Sequence, residues 1–368
     1  VDPQTNPTFV KKYEESGDTI SQGNIIIECG DNYNIVTANQ MYSSTQNATY
    51  IDVEKKITQA ILNVTGEAVK TNLYVVEGHG ESDITVLEQL LEDNSYTVEK
   101  INLLTDEIPE DTGAIICTAP ARDYTAEEIE KMDRYVDTGG NLFFYLFPGM
   151  QGLERLNSYL NEWGITVNNG IIIEMDPQMS AQISYGLPLP LPQMEEHEIT
   201  QKLIDQGVRY LSDYQTCDMD LNDTNAQRAI LTPLLTTSES SYRKSGDNIQ
   251  TLNKEEGDGS GPFNLAVLAE RENEDHTMSR VFVVGGLTAI NSDWIMNDAS
   301  YANSDFTLNS FAYVTEKEDA LNIRAKAVSV DRLNMTLGQY RTTMVILWAI
   351  PFALIILGIV IWYRRRYL

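Results

Sequence analysis

Three histidines, His79, His197 and His276, are the whole imidazole supply of this 368-residue chain. His79 lies in the run Gly78-His79-Gly80-Glu81-Ser82-Asp83, after the apolar stretch Leu73–Val76 and ahead of an amphipathic segment. In an open α/β sheet, ligands gather where strands end and helices begin, because free backbone N–H groups and helix dipoles face that crevice. His79 and Glu81 are the acid–base groups such a site offers, while Ser82 or Asp83 also suits a helix N-cap. Gly78, His79, Gly80, Glu81, Ser82 and Asp83 are therefore a candidate ligand or partner contact. The spacing is neither a phosphate loop nor a dinucleotide fingerprint, since the third glycine and the P-loop lysine are missing. His197, within Glu195–Thr200, reads as a helix start, and His276 falls in a charged loop. No histidine has a second one three or four residues away, so no zinc pair is available on a helix. No metal and no cofactor is expected.

A hydrolase or amidotransferase on such a sheet needs a nucleophile on a strained turn after a strand. The turn after Leu142–Leu146 offers only Phe147, Pro148 and Gly149, and Gly285-Gly286 after Val284 carries no reactive side chain. Cys117 precedes Thr118-Ala119-Pro120 with no histidine near it in sequence. Cys29, Cys117 and Cys217 are too few and too scattered for a disulfide framework, and no Cys-x-x-Cys pair exists. No catalytic residue is expected. The rival reading is an envelope hydrolase or degenerate amidotransferase-like enzyme using His79 and Glu81.

The elements that would position these groups follow from the hydrophobic pattern. Leu73–Val76, Thr97–Leu103, Ala114–Cys117, Asn141–Phe147 and Ile171–Glu174 read as strands, and Ser82–Glu92, Tyr124–Asp137 and Leu153–Trp163 as helices between them. Continuous apolar strands alternating with helices imply a mostly parallel sheet covered on both faces. Before this run, Pro7–Gly17 reads as a helix, Asn24–Cys29 and Tyr33–Val36 as a hairpin, and Asp52–Val64 as an amphipathic helix. The pattern weakens from Pro177 to Pro262. Gly186–Gln193 is a proline-spaced extended segment, and Pro188, Pro190 and Pro192 are a second candidate partner contact. Ser238–Gly261 is polar and reads as a mobile surface loop. Strands return at Leu265–Leu268 and Val281–Val284, then a helix at Asp305–Tyr313 and an extended segment at Leu321–Val330.

The C-terminus is unlike the rest. Thr342–Tyr363 has no ionisable side chain before its final tyrosine. At about 1.5 Å per residue it reaches roughly 33 Å, enough to span a hydrocarbon core. Pro351 is tolerated in such a span, and Trp362 sits where aromatic belts form. Arg364, Arg365 and Arg366 then act as a cytoplasmic anchor by the positive-inside rule, placing the bulk of the chain outside. The formal net charge of −28 argues against nucleic acid and against flat docking on anionic lipid. The chain opens on Val1-Asp2-Pro3, and exporting its bulk requires an N-terminal signal or anchor upstream of it.

The stretches VDPQTNPTFVKKY, IIIECGDNYNIV, AILNVTG, YVVEGHGE, YTAEEIEKMDRYVDTGGNLFF and SDFTLNSFAYVTEKEDALNIRAK, with the final span and its arginines, resemble GldG-like auxiliary subunits of ABC transporters, of the gliding-motility and intraflagellar-transport domain family. The resemblance implies a partial thioredoxin-like domain over residues 1–45 and a flavodoxin- or amidotransferase-like domain over 46–315, with a mobile insertion at about 238–261. A juxtamembrane segment (316–341), a transmembrane helix (342–363) and a cytoplasmic tail (364–368) complete it. It further implies a non-catalytic extracytoplasmic role, with a multi-span permease and a cytoplasmic ATPase as partners. Thr336–Tyr363, above all Trp348, Pro351 and Trp362, is the expected permease contact. A membrane-anchored surface interaction protein without a transporter is the third reading.

Overall fold

A computed structural model of the chain describes residues 5–14, 20–44, 49–65, 70–182, 188–207, 211, 215–226, 228–244, 251, 253–292, 296, 301–317, 326–327 and 336–366. Ten strands make the main sheet, labelled here in chain order: β1 (Thr71–Val76), β2 (Tyr96–Ile101), β3 (Thr112–Thr118), β4 (Asn141–Tyr145), β5 (Ile165–Val167), β6 (Gln193–Met194), β7 (Met219–Leu221), β8 (Ile230–Thr236), β9 (Asn264–Glu272) and β10 (Met278–Val284). The order along the sheet is β6-β8-β9-β10-β4-β3-β1-β2, with β7 pairing β9 and β5. Strands β10, β4, β3, β1 and β2 are mutually parallel, as the apolar runs predict. The strands on the far side of β10 pair antiparallel.

Period-two alternation within buried strands feeds two cores. Ala114, Ile116, Phe143, Tyr145 and Phe282 face one side, where they meet helices Thr85–Glu92 and Asn303–Val314. Ile115, Cys117, Leu142, Phe144, Val281 and Val283 face the other, under helices Ala126–Val136 and Glu154–Glu162. Phe143 stacks on Phe311 at 4.0 Å between ring centroids. Each of these side chains is removed from water on its face of the pleat, which is why the centres of the strands are apolar.

The antiparallel extension falls in the stretch where the pattern weakens. Strand β8 contains Pro233, and its pairing with β9 shifts register between Pro233 and Leu235. A proline cannot donate to a ladder, so it sits where the ladder is already interrupted. The expected loop Ser238–Gly261 carries two short strands, Tyr242–Lys244 and Gly259–Ser260, which build a three-stranded sheet with Ile171–Ile173. Residues 245–250 and 252 of that segment lie outside the described residues, as do 186–187 of the proline-spaced stretch. Of Leu321–Val330 only Lys326–Ala327 is described, as a strand against Thr49–Ile51.

The N-terminal elements pack as their own cluster. The hairpin Ile25–Cys29/Asn32–Val36 carries helix Val53–Thr65 on one face, through Val36, Met41 and Ala60.

On the second face of the sheet, Asp133 of helix Ala126–Val136 is half-buried. Burial first, then the nearby Glu162 and Asp137, lifts its carboxyl from 3.8 to about 6. The folded chain therefore holds a proton that the unfolded chain releases. Its stabilising contribution is full below the unfolded value and is lost as pH rises through about 6. Asp133→Asn is expected to raise the melting temperature at about pH 8 and leave it unchanged near pH 4. Melting curves of the two chains at both pH values check this, and an equal change at both would contradict it.

Candidate functional site

The parallel half of the sheet runs β2-β1-β3-β4-β10. The chain leaves β1 for a neighbour on one side and later returns to the other, so a topological switch point lies beyond the C-terminal ends of β1 and β3. The Gly78–Asp83 run occupies that position. The opposing loop, Ala119–Thr125, follows β3.

The two loops are bonded to each other across the crevice. The N–H groups of Ala121 and Arg122 both donate to the His79 carbonyl at 3.0 Å, and the Ser82 N–H donates to the Thr118 carbonyl at 3.3 Å. The Arg122 guanidinium donates to the Gly78 carbonyl at 2.7 Å. Asp123 holds the same loop to the next helix by accepting from the N–H groups of Arg155 and Leu156, at 2.8 and 3.1 Å.

His79 is 4 % exposed and closes the crevice from within. Its Nδ1 is 3.1 Å from Glu81 Oε1, and its Nε2 is 3.1 Å from Glu128 Oε1 and 3.2 Å from Oε2. Glu128 is fully buried. Each ring nitrogen of His79 thus faces a carboxylate, and further donors hold both carboxylates in place. The Glu81 carboxylate accepts the N–H groups of Gly78 and His79, and Glu128 accepts the N–H and hydroxyl of Thr125. Thr125 and Glu128 form a capping box that opens helix Ala126–Val136.

Tyr124 covers the imidazole with ring centroids 4.4 Å apart. Burial, then the Cys117 thiol beside it, pushes the Tyr124 hydroxyl well above its ordinary range. Burial likewise pushes the Cys117 thiol up to about 12. A thiol held that high is a poor nucleophile. Both ring nitrogens of His79 are engaged by carboxylates, so neither is directed at Cys117 or Ser82 as a base. The turn after β10 is also closed, because a Cβ on Gly285 would lie 1.9 Å from the Cys217 carbonyl oxygen.

The structure thus distributes the candidate residues unevenly. His79 is buried, Glu81 and Ser82 are half-buried, and Gly78, Gly80 and Asp83 are exposed. The helix expected from Ser82 begins at Thr85, and the Asp83 carboxylate takes the Thr85 N–H at 3.2 Å. The proline segment does not join this site. Pro188–Pro190 is a strand against Ser180–Gln182, and Pro190 and Pro192 are buried, with Pro192 lining a small apolar cavity beside Tyr145 and Phe306. Only Pro188 keeps partial exposure. His197 caps helix Glu198–Asp205, its Nδ1 accepting from the Ile199 N–H at 3.2 Å. His276 is exposed and pairs with Glu272 at 2.6 Å. Among the described residues, no group of three His, Cys, Asp or Glu side chains is arranged to hold a metal ion.

Glu128, Tyr124 and Thr125 were not among the expected site residues. The Thr-x-x-Glu spacing is a capping-box signal that marks the helix start. It carries no sign that Glu128 also reaches a histidine 49 positions earlier.

At the C-terminus, Leu337–Arg366 is one helix, and Gly338–Arg366 is long and apolar enough to cross a membrane by length and composition. Trp348, Pro351 and Trp362 all lie on it and are exposed, Trp348 to 67 %.

Residues 70–310 match the family model of an ABC-type uncharacterized transport system, ABC_transp_aux, which covers more than half of the chain. The chain belongs to that family. The matched residues run from β1 into helix Asn303–Val314 and include the crevice. The family agrees with the GldG-like resemblance and with the exposed apolar helix. Human Intraflagellar transport protein 52 homolog is 35% identical over 80 residues, which is 20% of this chain and 18% of that protein. Among solved structures, the mmIFT52 N-terminal domain superposes with a TM-score of 0.49 at 16% identity, covering 68% of this chain and 100% of that one. PurLQS from Thermotoga maritima gives a TM-score of 0.33 at 11% identity, over 67% of this chain and 100% of that one.

Proposed function

We propose that this family member is a non-catalytic extracytoplasmic subunit of an ABC transporter, docked on a multi-span permease that works with a cytoplasmic ATPase. The observation that carries the docking is the C-terminal helix, whose large apolar residues from Val345 to Trp362 are exposed on every side. Such a surface needs lipid or another helix around it. Thr336–Tyr363 is the permease contact, with Trp348, Pro351 and Trp362 as its large or irregular features. Arg364, Arg365 and Arg366 anchor the cytoplasmic end. A non-catalytic role is supported by the crevice, where His79 is consumed as the centre of a carboxylate-bridged pin. On the outer domain, Gly78, Gly80, Asp83 and Pro188 are the contact candidates that remain open to solvent, and they serve partner or substrate recognition.

The test is a mild-detergent pull-down of the full chain from its native membrane. Recovery of a permease and an ATPase in comparable amounts is the expected result. Recovery of the chain alone, repeated under crosslinking, would overturn the proposal.

A further inference from the structure

The first turn of the membrane helix is bonded to the outer domain. Its N-cap, Thr336, is 4 % exposed, and Thr336 and Gln339 cap each other reciprocally at 3.0 and 3.3 Å. The Gly338 N–H donates to the Pro177 carbonyl at 3.1 Å. A Cβ on Gly338 would meet Pro177 Cβ and Gln178 Nε2, both at 3.0 Å. Glycine is therefore the residue that lets the first helical turn lie directly on the Asp176–Met179 turn.

That turn is itself tied to the main sheet. The Asp176 side chain accepts the Gln178 N–H at 2.8 Å, and the Asp176 N–H donates to Glu174 Oε1 at 2.8 Å. Glu174 is 0 % exposed, and its carboxylate also accepts the Ser238 N–H at 3.0 Å and hydroxyl at 2.6 Å. Next to Ser238, Thr237 is bonded in both directions to Phe263, one residue before β9. A continuous set of hydrogen bonds thus runs from the membrane helix through Pro177, Asp176, Glu174 and Ser238 to the sheet. A buried carboxylate with three donors is costly to undo.

We infer that this joint clamps the outer domain onto the membrane surface, with the Asp176–Met179 turn at the depth of the outer lipid headgroups. Gly338 precedes the apolar run at Thr342 by one helical turn, roughly 6 Å. The headgroup layer of one leaflet is about that thick. Met175, the residue just before that turn, is 47 % exposed, an apolar side chain suited to that interface. The domain and the helix then move as one body, so a tilt of the span in its permease becomes a displacement of the outer domain. The inference rests on the membrane span of the proposed function, but it needs no permease.

The experiment uses the full chain in phosphatidylcholine nanodiscs, with Cys29→Ser and a bimane fluorophore on Met175→Cys. Lipids carrying a nitroxide on the headgroup are the probe. Resistance to carbonate extraction from vesicles establishes the span separately, and its loss would overturn the span reading rather than the joint alone. With the span in place, strong quenching at Met175 is expected, and Gly338→Leu abolishes it while leaving the melting temperature of the outer domain unchanged. Leucine favours helix, so that variant breaks the contact and not the helix. Gly338→Ala serves as the milder break and gives an intermediate loss. Weak quenching in the native sequence, or quenching that Gly338→Leu leaves intact, would overturn the inference.

Discussion

Glu128→Ala is expected to cost about 1–3 kcal/mol of folding stability, because it leaves buried hydrogen-bonding groups without a partner. The substitution leaves the His79 Nε2 facing a cavity and strips the Thr125 N–H and hydroxyl of their acceptor. The capping box of helix Ala126–Val136 goes with it, and caps alone are worth about 1 kcal/mol. Marginal stability of domains makes this a large fraction of the total. Glu128→Gln keeps the shape and one acceptor oxygen, so its loss is smaller. Chemical denaturation of the full chain in detergent, followed by near-ultraviolet dichroism, measures both. A Glu128→Ala loss below about 0.5 kcal/mol, the level of an ordinary surface change, would contradict the reading of His79 as a structural pin.

That pin marks the limit of what the residue pattern discloses. The parallel half of the sheet was legible because β1, β3 and β4 are apolar on both faces and are separated by helices of clear period. The Leu142–Tyr145 alternation, for instance, feeds both cores. Of the antiparallel half, β9 was legible at Leu265–Leu268, but β8 was not, because it carries Pro233 at a register shift, and neither was the small separate sheet, whose Tyr242–Lys244 is embedded in polar residues. Propensity disfavours both, and tertiary pairing overrides it. Gly78–Asp83 was placed at its strand end correctly by local pattern. What local pattern could not supply is the long-range partner: Glu128 reaches His79 only because β3 returns beside β1. The same blindness explains the prolines. Their spacing suggests an exposed extended segment, but pairing with Ser180–Gln182 buries Pro190 and Pro192.

In sheets of this topology the switch point is where a ligand would sit, and here the side chains of His79, Tyr124 and Glu128 lie buried at it. Among the described residues, the exposed large apolar side chains gather on the C-terminal helix.

Replacement of Thr342–Tyr363 by a leucine-only span of equal length, with Arg364, Arg365 and Arg366 retained, therefore separates anchoring from docking. Such a span inserts and orients as before, because length, apolarity and the flanking arginines are preserved. It loses the shape that Trp348, Pro351, Trp362 and the smaller Ala349, Ala353 and Gly358 present to a neighbouring helix. The decisive measurement is quantitative mass spectrometry of what co-purifies with the native and the leucine-span chains from the same membrane. Permease and ATPase are expected with the native chain and neither above background with the replacement, at equal membrane levels of both chains. Equal recovery of the two partners with both spans would contradict docking through the membrane helix.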